Sequence, residues 1–484
     1  MQRGEHFFSV ILWQKRRRDG VMDDMTCKTL SITALHLVTM VSAFAAERSV
    51  KPNIVFVLTD DLGWADLACY GSKFYETPNI DRLATESMRF TDAYAACPVC
   101  SPTRAAILTG QYPARLHLTD WIPGHVRKDV RLAVPDWTMQ LSPGIPNLAK
   151  LLKPAGYATA SIGKWHLGPA ACWPDKQGFD INIAGCERGQ PPSYFSPYQI
   201  QTLSDGPKNE FLSDRLTTEA EKFIEQNQDR PFFLYLPHYA VHTPIMAKPE
   251  VLAKYKAKAQ PDAPQKNAAY AGLIESVDDS VGRLMAKLEQ LHLSERTIFI
   301  FTSDNGALKS ISSSAPLRAG KGSAYEGGVR VPLIIRWPGV TKAGSVSHAP
   351  VISTDYFPTL LAAAGVAVPA SNPLDGVDLA PVLHQSGPLE REAIYWHYPH
   401  YHPGGATPYG AIRMGNLRLV EFYEDERVEL YDLKGDTGET KNLALELPEK
   451  TAALRQKLHE WRRRVGAQMP LTNTAKAKGN SSPP

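Results

Sequence analysis

The sequence predicts an α/β fold with a large, mostly parallel central sheet, helices on both faces, and a small C-terminal α+β subdomain with an antiparallel sheet and a helix. Continuous apolar runs rich in β-branched residues alternate with amphipathic segments, as expected for a buried parallel sheet with crossover helices. From about residue 386 the pattern changes to shorter alternating strands, which suit an antiparallel sheet. The chain has 484 residues, and single cores rarely grow beyond about 250–300 residues, so two parts are expected, at 50–385 and 386–470.

The predicted elements follow one another in a regular order. The first strand covers residues 53–59, and a capped helix at 77–84 leads to a second strand at 88–95. A cysteine-rich turn then enters a short helix, which Ser101 can cap and Gly110 can end. The remaining elements are helices at 145–153, 210–228, 353–364 and 448–465, a long helix with a core stripe from Leu273 to Leu291, and strands at 157–162, 231–237, 297–302, 331–335, 393–397, 411–422 and 428–433.

Both ends of the chain are predicted to lie outside this fold. Residues 1–24 place a basic run before two aspartates, the wrong order for an export signal, so we interpret them as a mis-set start. From Met25, a lysine, an apolar run over 30–41 and an Ala-Phe-Ala sequence predict a signal peptide at 25–45. Because that run is shorter than the ~20 residues of a membrane span, we expect an exported, periplasmic or secreted protein with no stable membrane span. The tail at 471–484 is predicted to be disordered.

The overall charge gives no argument for a nucleic-acid partner. The 53 basic and 50 acidic side chains leave a net charge of +3, and the central chain carries no long basic stripe. We therefore expect no nucleic-acid binding, and any anionic substrate must be recognised locally.

Side chains suited to catalysis or metal binding follow four of the predicted strands. They are Asp60 and Asp61 after 53–59, Lys164 and His166 after 157–162, His238 and His242 after 231–237, and Asp304 and Asn305 after 297–302. In open parallel α/β sheets a ligand binds outside the carboxyl ends of the strands, so these ends are expected to meet at one site. The acids and the asparagine offer only oxygen ligands, which favour a hard cation, and we predict Ca²⁺ rather than Mg²⁺. The predicted metal ligands are Asp60, Asp61, Asp304 and Asn305.

The stretch Cys97–Gly110 (CPVCSPTRAAILTG) permits three interpretations. The cysteines can be a buried or disulfide-bonded pair that braces a turn, or a C-x-x-C redox motif. Alternatively, Cys100 is a nucleophile for an anionic ester, placed just outside a helix N-terminus, where the helix dipole favours negative charge. A Cys-x5-Arg phosphatase loop is excluded because Arg104 comes too early.

The run from Cys100 to Arg104, with the following Ala-Ala-Ile-Leu-Thr-Gly, resembles the signature of the type I, formylglycine-dependent sulfatases, arylsulfatase-like members of the alkaline phosphatase superfamily. Thr103 stands where serine is commoner. The resemblance covers residues 51–338 by ordered motifs and the C-terminal subdomain more loosely. It implies a sulfatase, a sulfuric ester hydrolase, in which a maturation enzyme oxidises Cys100 to formylglycine, and it places Ca²⁺ on the four predicted metal ligands and on the converted Cys100.

The resemblance also implies roles for the remaining site residues. The hydrated formylglycine attacks sulfur, His242 and Lys321 assist departure of the alcohol, and His166 takes the proton from the remaining hydroxyl. Arg104 and Lys164 match further cations of the family, which stabilise charge on the sulfate group. If Cys100 is converted, four cysteines remain in the mature chain, and Cys172 can pair with Cys186 in an oxidising compartment.

The substrate is less well defined by the sequence than the reaction. Aromatic and polar side chains suit sugar rings, and the candidates for the leaving-group pocket are His117, Trp121, His397, His400 and Arg413. The last three lie in or near a Tyr- and His-rich stretch that can equally be a surface loop. Resemblance to exported arylsulfatase-like enzymes points to a sulfated carbohydrate of galactose or N-acetylgalactosamine type.

Two other functions stay open. A phosphodiesterase or phosphonate monoester hydrolase of the same superfamily can use the same converted cysteine. A non-catalytic, calcium-stabilised carbohydrate-binding protein would keep the metal ligands but lose the nucleophile or the bases. All of those groups are present here, which counts against the second alternative.

Overall fold

Strands and helices alternate along the chain largely as predicted. The computed structural model describes residues 51–125, 127 and 129–473, so the predicted mis-set start (1–24) and signal peptide (25–45) lie outside the described residues. The strands are β1 (Asn53–Thr59), β2 (Met88–Tyr94), β3 (Leu132–Ala133), β4 (Ala158–Ile162), β5 (Ile181–Ile183), β6 (Phe232–Pro237), β7 (Thr297–Ser303), β8 (Arg330–Arg336), β9 (Ser345–Ser347), β10 (Val351–Ile352), β11 (Ile394–Tyr398), β12 (Tyr409–Met414), β13 (Leu417–Phe422), β14 (Val428–Asp432) and β15 (Leu471–Thr472). The helices are α1 (Pro78–Thr85), α2 (Cys100–Thr109), α3 (Pro113–Leu116), α4 (Leu148–Leu152), α5 (Leu212–Gln226), α6 (Pro249–Lys258), α7 (Ala268–Gln290), α8 (Glu326–Val329), α9 (Tyr356–Ala363), α10 (Ala380–Leu383) and α11 (Pro448–Val465).

Nine of the described strands form one mostly parallel sheet. Its order is β10-β2-β8-β7-β1-β6-β4-β5, with β9 beside β2. Strand β1 is parallel to β6 and β7, β4 is parallel to β5 and β6, and β9 and β10 are parallel to β2. Strand β8 runs in the opposite direction between β7 and β2. The predicted parallel sheet is confirmed, with one reversed strand that the sequence pattern did not reveal.

Both faces of this sheet are covered, as the apolar run of β1 predicted. Val55 and Val57 pack into a core that includes Val277 of α7 on one face. Phe56 packs on the other face with Leu108 of α2. Because successive side chains of a strand point to opposite faces, a run buried at every position requires helices on both sides.

The C-terminal part has the predicted antiparallel sheet and helix. Strands β11-β12-β13-β14 pair in that order, and α11 buries Leu454, Leu458 and Trp461 against them. Trp396 of β11 donates a hydrogen bond from its indole N–H to the Ala95 carbonyl at 2.9 Å. This contact joins the small sheet to the segment that follows β2.

A buried ion cluster also connects the two parts. Arg418 of β13 is fully buried and lies 3.3 Å from a Glu326 oxygen and 2.5 Å from a Glu439 oxygen. It also donates to the Ala324 carbonyl at 2.6 Å. Buried charges are tolerated when they are paired in this way, so Arg418 holds the small sheet against the segment that contains α8.

Several local predictions are corrected. Helix α4 begins at Leu148 because the Asn147 side chain caps it, accepting from the Lys150 N–H at 3.1 Å. Residues 471–473, predicted as part of a disordered tail, pair instead with the strand at 132–133, and residues 474–484 lie outside the described residues. Among the described helices, none has the length and apolar character needed to cross a bilayer.

The described cysteines form no disulfide. Cys172 and Cys186, which the sequence allowed to pair, are both buried and unpaired. The Cys186 sulfur lies 3.8 Å from the hydroxyl oxygen of Tyr239. The Cys97 sulfur lies 3.9 Å from the backbone carbonyl oxygen of Thr119. Cys97 and Cys100 therefore form neither a disulfide that braces the turn nor a bonded C-x-x-C pair.

Candidate active site

The predicted site residues meet at one edge of the large sheet. Strands β1, β4, β6 and β7 are all parallel, so their carboxyl ends lie at the same edge. Strand β2 points the same way and delivers the Cys97–Cys100 turn to this edge, while the reversed β8 starts there. Topology therefore assembles the site from segments up to 260 residues apart in the chain, as the rule for open α/β sheets predicts.

Cys100 is the first residue of α2, so the helix begins two residues earlier than the predicted Ser101 cap implied. Val99 occupies the cap position, and the Ser101 hydroxyl accepts a hydrogen bond from the Ile122 N–H at 3.2 Å instead of capping the helix. Thr103 fixes the turn, since its hydroxyl accepts from the Cys97 N–H at 3.1 Å and donates to the Cys97 carbonyl at 3.0 Å. Burial raises the pKa of the Cys100 thiol to about 12, although Lys164 and Lys321 oppose that shift.

Three buried carboxylates are each paired with a cation. Lys164 Nζ lies 2.6 Å from Asp60 Oδ2. Arg104 Nε donates to Asp304 Oδ2 at 2.8 Å. The third pair joins Asp61 to Lys321, whose Nζ is 2.7 Å from Asp61 Oδ2 and 3.6 Å from the Cys100 sulfur. The lysine and the thiol therefore face the same point in front of the sheet edge.

The oxygen-rich corner of the site fits a hard cation. Asp60 Oδ1 and Asn305 Oδ1 are buried and have no hydrogen-bond partner among the described residues. Such orphan oxygens are rare in folded proteins, and a bound cation would satisfy them. Ligand atoms of Asp60, Asp61, Cys100 and His242 lie within 4.8 Å of one another. Asp304 adjoins this group because its Oδ1 accepts from the Asp61 N–H at 3.3 Å.

His166 stands behind the nucleophile position with one free ring nitrogen. Its Nε2 is hydrogen-bonded to the Ile122 carbonyl, whereas its Nδ1 is buried and has no hydrogen-bond partner within the part of the chain that the structure describes. A carbonyl accepts only, so this contact assigns the proton to Nε2 and leaves Nδ1 as a proton acceptor. Burial holds the pKa of His166 well below its usual range. A Cβ at Gly189 would lie 2.7 Å from this ring, so glycine permits the close approach of the chain.

His242 lines the same cavity, against Asp61. Its Nδ1 lies 3.0 Å from the Thr243 carbonyl oxygen, and its Nε2 is 3.5 Å from Asp61 Oδ2. Burial, with a further contribution from Lys321, lowers the pKa of His242 to about 3. His238, at the same strand end, is instead fully buried beside the Ser280 hydroxyl at 3.0 Å and does not line the cavity.

These groups open on a cavity of about 430 Å³. Its floor is Asp61, Cys100, His166, His242 and Lys321. Its walls are Trp121, Ile122, Pro123, Gly189, Gln190, Thr243, Leu308, His402 and Pro403. A polar floor that includes Lys321, below aromatic and polar walls, suits a charged group attached to a larger polar molecule.

Trp121 alone among the five predicted pocket residues lines this cavity. His117 contacts the Gly466 carbonyl at 2.9 Å. His397 contacts Gln468, His400 contacts the Thr119 hydroxyl at 2.7 Å, and Arg413 binds Asp92 at 2.7 Å. Each of these four binds a partner within the protein through a ring nitrogen or its guanidinium, and none of them lines the cavity.

Of the wall residues, only Trp121 was among the predicted site residues, and two of the polar ones that were missed are His402 and Gln190. His402 ends the same Tyr- and His-rich stretch that contains His397 and His400, but nothing in the pattern indicates which histidine faces the cavity. Gln190 lies in a Gly- and Pro-rich loop that carries no recognisable motif. Its side chain oxygen accepts from the Thr243 hydroxyl at 3.1 Å, which connects the two loops at the rim.

Comparison with known protein families decides among the interpretations of this site. A family model described as Sulfatase matches residues 52–366, more than half of the chain. The chain belongs to the sulfatase family. A second family model, described as N-sulphoglucosamine sulphohydrolase, C-terminal, matches residues 320–465 of this sulfatase. The predicted membership of the alkaline phosphatase superfamily is thereby confirmed.

Individual relatives agree with this assignment. The sulfatase is 34% identical over 474 residues to a protein named Sulfatase from Formosa agariphila, covering 82% of this chain and 85% of the relative. It is 35% identical over 399 residues to an N-acetylgalactosamine-6-sulfatase from Rattus norvegicus, covering 75% of this chain and 71% of the relative. A crystal structure of Ps i-CgsB in complex with k-i-k-neocarrahexaose matches with a TM-score of 0.74 and 30% identity, over 85% of this chain and 93% of that one. The sulfatase is therefore an enzyme that hydrolyses sulfate esters, and the non-catalytic alternative is set aside.

Proposed function

We propose that this sulfatase removes sulfate from a carbohydrate of galactose or N-acetylgalactosamine type, using a formylglycine made from Cys100 and a Ca²⁺ ion held by Asp60, Asp61, Asp304 and Asn305. The observation that carries the proposal is the Cys100 sulfur at the floor of the cavity, 3.6 Å from Lys321 Nζ and grouped with two carboxylates. A thiol with a raised pKa is itself a poor nucleophile, which supports its chemical conversion.

The charges of the site support a dication. Asp60, Asp61 and Asp304 balance Arg104, Lys164 and Lys321, so the described ionised groups have no net charge. A bound Ca²⁺ would leave the site with two positive charges, which suits a sulfate group. When present, the ion would polarise sulfate oxygens, and the hydrated formylglycine would supply an oxygen nucleophile.

The chain's own residues bind the sulfate and manage protons. Lys321 carries a proton because its pKa is raised by Asp61, and it faces the cavity beside position 100, where it can stabilise the leaving oxygen. His242 approaches the same region through Nε2. His166, which also lines the cavity, can act as a base through its Nδ1. Arg104 lies behind the carboxylates, where it donates to the Lys164 carbonyl at 2.8 Å and orients that strand end.

The names of the relatives and the walls of the cavity support a carbohydrate leaving group. One relative is named for N-acetylgalactosamine, and one similar structure was solved with a neocarrahexaose. Trp121 offers an aromatic plane, while His402 and Gln190 offer polar groups for hydroxyls. These are the side-chain types that recognise sugar rings.

The test combines mass spectrometry with kinetics. The full chain is produced together with a formylglycine-generating enzyme, and the peptide containing Cys100 is weighed. We expect formylglycine at position 100 and hydrolysis of para-nitrophenyl sulfate. An unmodified Cys100 thiol in fully active protein would overturn the proposal that formylglycine is the nucleophile. Faster hydrolysis of an aryl phosphodiester than of the aryl sulfate would favour the phosphodiesterase or phosphonate monoester hydrolase alternative.

The metal is tested separately. We expect a chelator to abolish sulfate ester hydrolysis, and Ca²⁺ to restore it better than Mg²⁺. Isothermal titration of the chelated protein should give one Ca²⁺ site, which Asp304→Asn weakens. Activity that survives complete chelation would refute the calcium assignment. We also propose that the protein is exported, on the strength of the signal peptide predicted at 25–45.

A further inference from the structure

Two further cavities adjoin the active site on the far side of one loop. One, of about 460 Å³, is lined by Lys73, Phe74 and Lys258, and the other, of about 580 Å³, by Lys266 and Lys309. The two share Pro264, Ser313 and Ala315 and thus form one continuous depression. We call this depression the lysine trough.

The lysine trough is strongly one-sided in charge. Its described lining residues include four lysines and no aspartate or glutamate. Lys258 is paired with Glu76 at 2.7 Å, and Lys266 donates to the Pro261 carbonyl. Lys73 and Lys309 are exposed and have no ion-pair partner among the described residues. Such a local excess stands out in a chain whose net charge is only +3.

The lysine trough and the catalytic cavity share a wall. Leu308 lines the catalytic cavity, and the next residue, Lys309, lines the trough. The chain stays in the trough through Ala319 and returns to the catalytic cavity at Lys321. A hydrogen bond of 2.8 Å from the Lys321 N–H to the Ala307 carbonyl closes this loop at its base.

The wall is held firmly by the core beneath it. The Ser312 hydroxyl donates to Asp66 Oδ1 at 2.9 Å and lies 3.0 Å from the Tyr75 hydroxyl. Gln265, on the opposite side of the trough, also donates to Asp66 Oδ1, at 2.9 Å. Both sides of the trough are therefore anchored on one buried carboxylate, so its shape is built into the fold.

We propose that the lysine trough binds sulfate groups further along the same polymer whose sulfate ester is hydrolysed in the catalytic cavity. This proposal rests on the proposed function, since it assumes a sulfated carbohydrate substrate. Lysines without partners attract sulfate through a field that reaches about 10 Å at moderate ionic strength, which spans neighbouring sugar units. The exposed Pro264 and Pro316 add apolar surface on which a sugar ring can rest.

The proposal is tested by removing one lysine from each half of the trough. The variant Lys73→Gln/Lys309→Gln is compared with Lys342→Gln/Lys450→Gln, which removes the same charge from exposed lysines that lie outside the lining of both the trough and the cavity. Each protein is assayed on para-nitrophenyl sulfate and, by isothermal titration, for binding of a chondroitin sulfate hexasaccharide and of the corresponding disaccharide.

We expect the trough variant to bind the hexasaccharide about five- to tenfold more weakly, with a smaller dependence on salt, because electrostatic attraction of this kind is screened by ions. Its affinity for the disaccharide and its kcat/KM on para-nitrophenyl sulfate should match the control variant. Equal hexasaccharide affinity in the two variants would overturn the proposed role of the lysine trough. So would a loss of kcat/KM on para-nitrophenyl sulfate as large as the loss of hexasaccharide affinity. If the wild type hydrolyses no sulfate ester at all, the proposed function fails, whereas the binding comparison still decides whether the trough takes sulfated sugar.

Discussion

Gly322, which follows Lys321, is a residue at which a single added carbon should disturb the site. It adopts φ +76°, and a Cβ built there would lie 2.2 Å from Nδ1 of His402. The same ring nitrogen accepts from the Gly404 N–H at 3.0 Å, so the ring is not free to turn away. The Gly322 N–H in turn donates to the Pro98 carbonyl at 2.9 Å, which joins this turn to the cysteine turn.

The effect of Gly322→Ala can be divided into two parts. The first is the left-handed backbone, which costs an L-residue about 1–2 kcal/mol. The second is the contact: ordinary Cβ contacts begin near 3.4 Å, so the loop or the ring must move by more than 1 Å. Because a displacement of about 1 Å in a catalytic group can reduce the rate about 100-fold, we expect kcat/KM to fall about 10- to 100-fold.

Gly339 provides the control, since it has the same φ of +76° and no heavy atom of the described residues lies within 4 Å of a Cβ built there. Gly339→Ala should show only the backbone part, seen as lost stability with unchanged kcat/KM on para-nitrophenyl sulfate. In a His402→Ala background, Gly322→Ala should reduce kcat/KM much less than in the wild type. Gly322→Ala with the kinetics of Gly339→Ala would refute the reasoning.

Three further predictions concern the nucleophile, the joint between the two parts and one buried acid. Cys100→Ser should abolish sulfate ester hydrolysis, measured on para-nitrophenyl sulfate, whereas Cys97→Ser should retain it because that sulfur faces only a backbone carbonyl. Arg418→Met removes the cation paired with the buried Glu439 and leaves Glu326 with Arg330 alone, so it should lower the free energy of urea unfolding by about 3–5 kcal/mol. Arg427→Met, at a half-exposed position, should change it by less than about 1 kcal/mol. Burial raises the pKa of Asp120 to about 7, so the folded state favours the protonated carboxyl. The free energy of unfolding should therefore fall by about 2–3 kcal/mol between pH 5 and pH 7, relative to that of Asp120→Asn.

Each of these has a clear contrary result. Loss of activity in a correctly folded Cys97→Ser variant would favour the interpretation of Cys97 and Cys100 as a C-x-x-C redox motif. Equal destabilisation by the two arginine variants would mean that the buried cluster does not join the two parts. Parallel stability curves for wild type and Asp120→Asn would show that the Asp120 carboxyl titrates in the folded protein as it does in the unfolded chain.

The elements that the sequence predicted correctly are those encoded by local pattern. The apolar run of β1 and the aspartates after it are adjacent in the chain, so strand and ligands were found together. The final helix was predicted with its bounds, Pro448–Val465, because Pro at its start and Gly466 after its end are strong local signals. The general rule for parallel sheets then brought the strand ends to one edge.

What the sequence could not give depends on tertiary contacts. An apolar run has no direction, so the reversal of β8 was invisible. Histidines 397, 400 and 402 look alike in the sequence, and only packing distinguishes them. His397 contacts Tyr423 and Gln468, His400 contacts Thr119, and His402 lines the cavity. Lys321 has no strand before it and was found only through the family resemblance.

The reversal of β8 has a consequence for how this enzyme can change. Since β7 and β8 are antiparallel neighbours, the chain between them leaves and re-enters the sheet at the same edge, as a long hairpin loop. Asp304 and Lys321 lie towards its ends, and the stretch 309–319 lies between them. Insertions or exchanges at the exposed positions of that stretch, such as Lys309 and Ala315, need not disturb its two ends or the buried Ser312 that anchors it on Asp66, because the cost of closing a loop grows slowly with its length. One hairpin thus offers a replaceable module by which the length and charge of preferred substrates can be altered while the reaction chemistry stays the same.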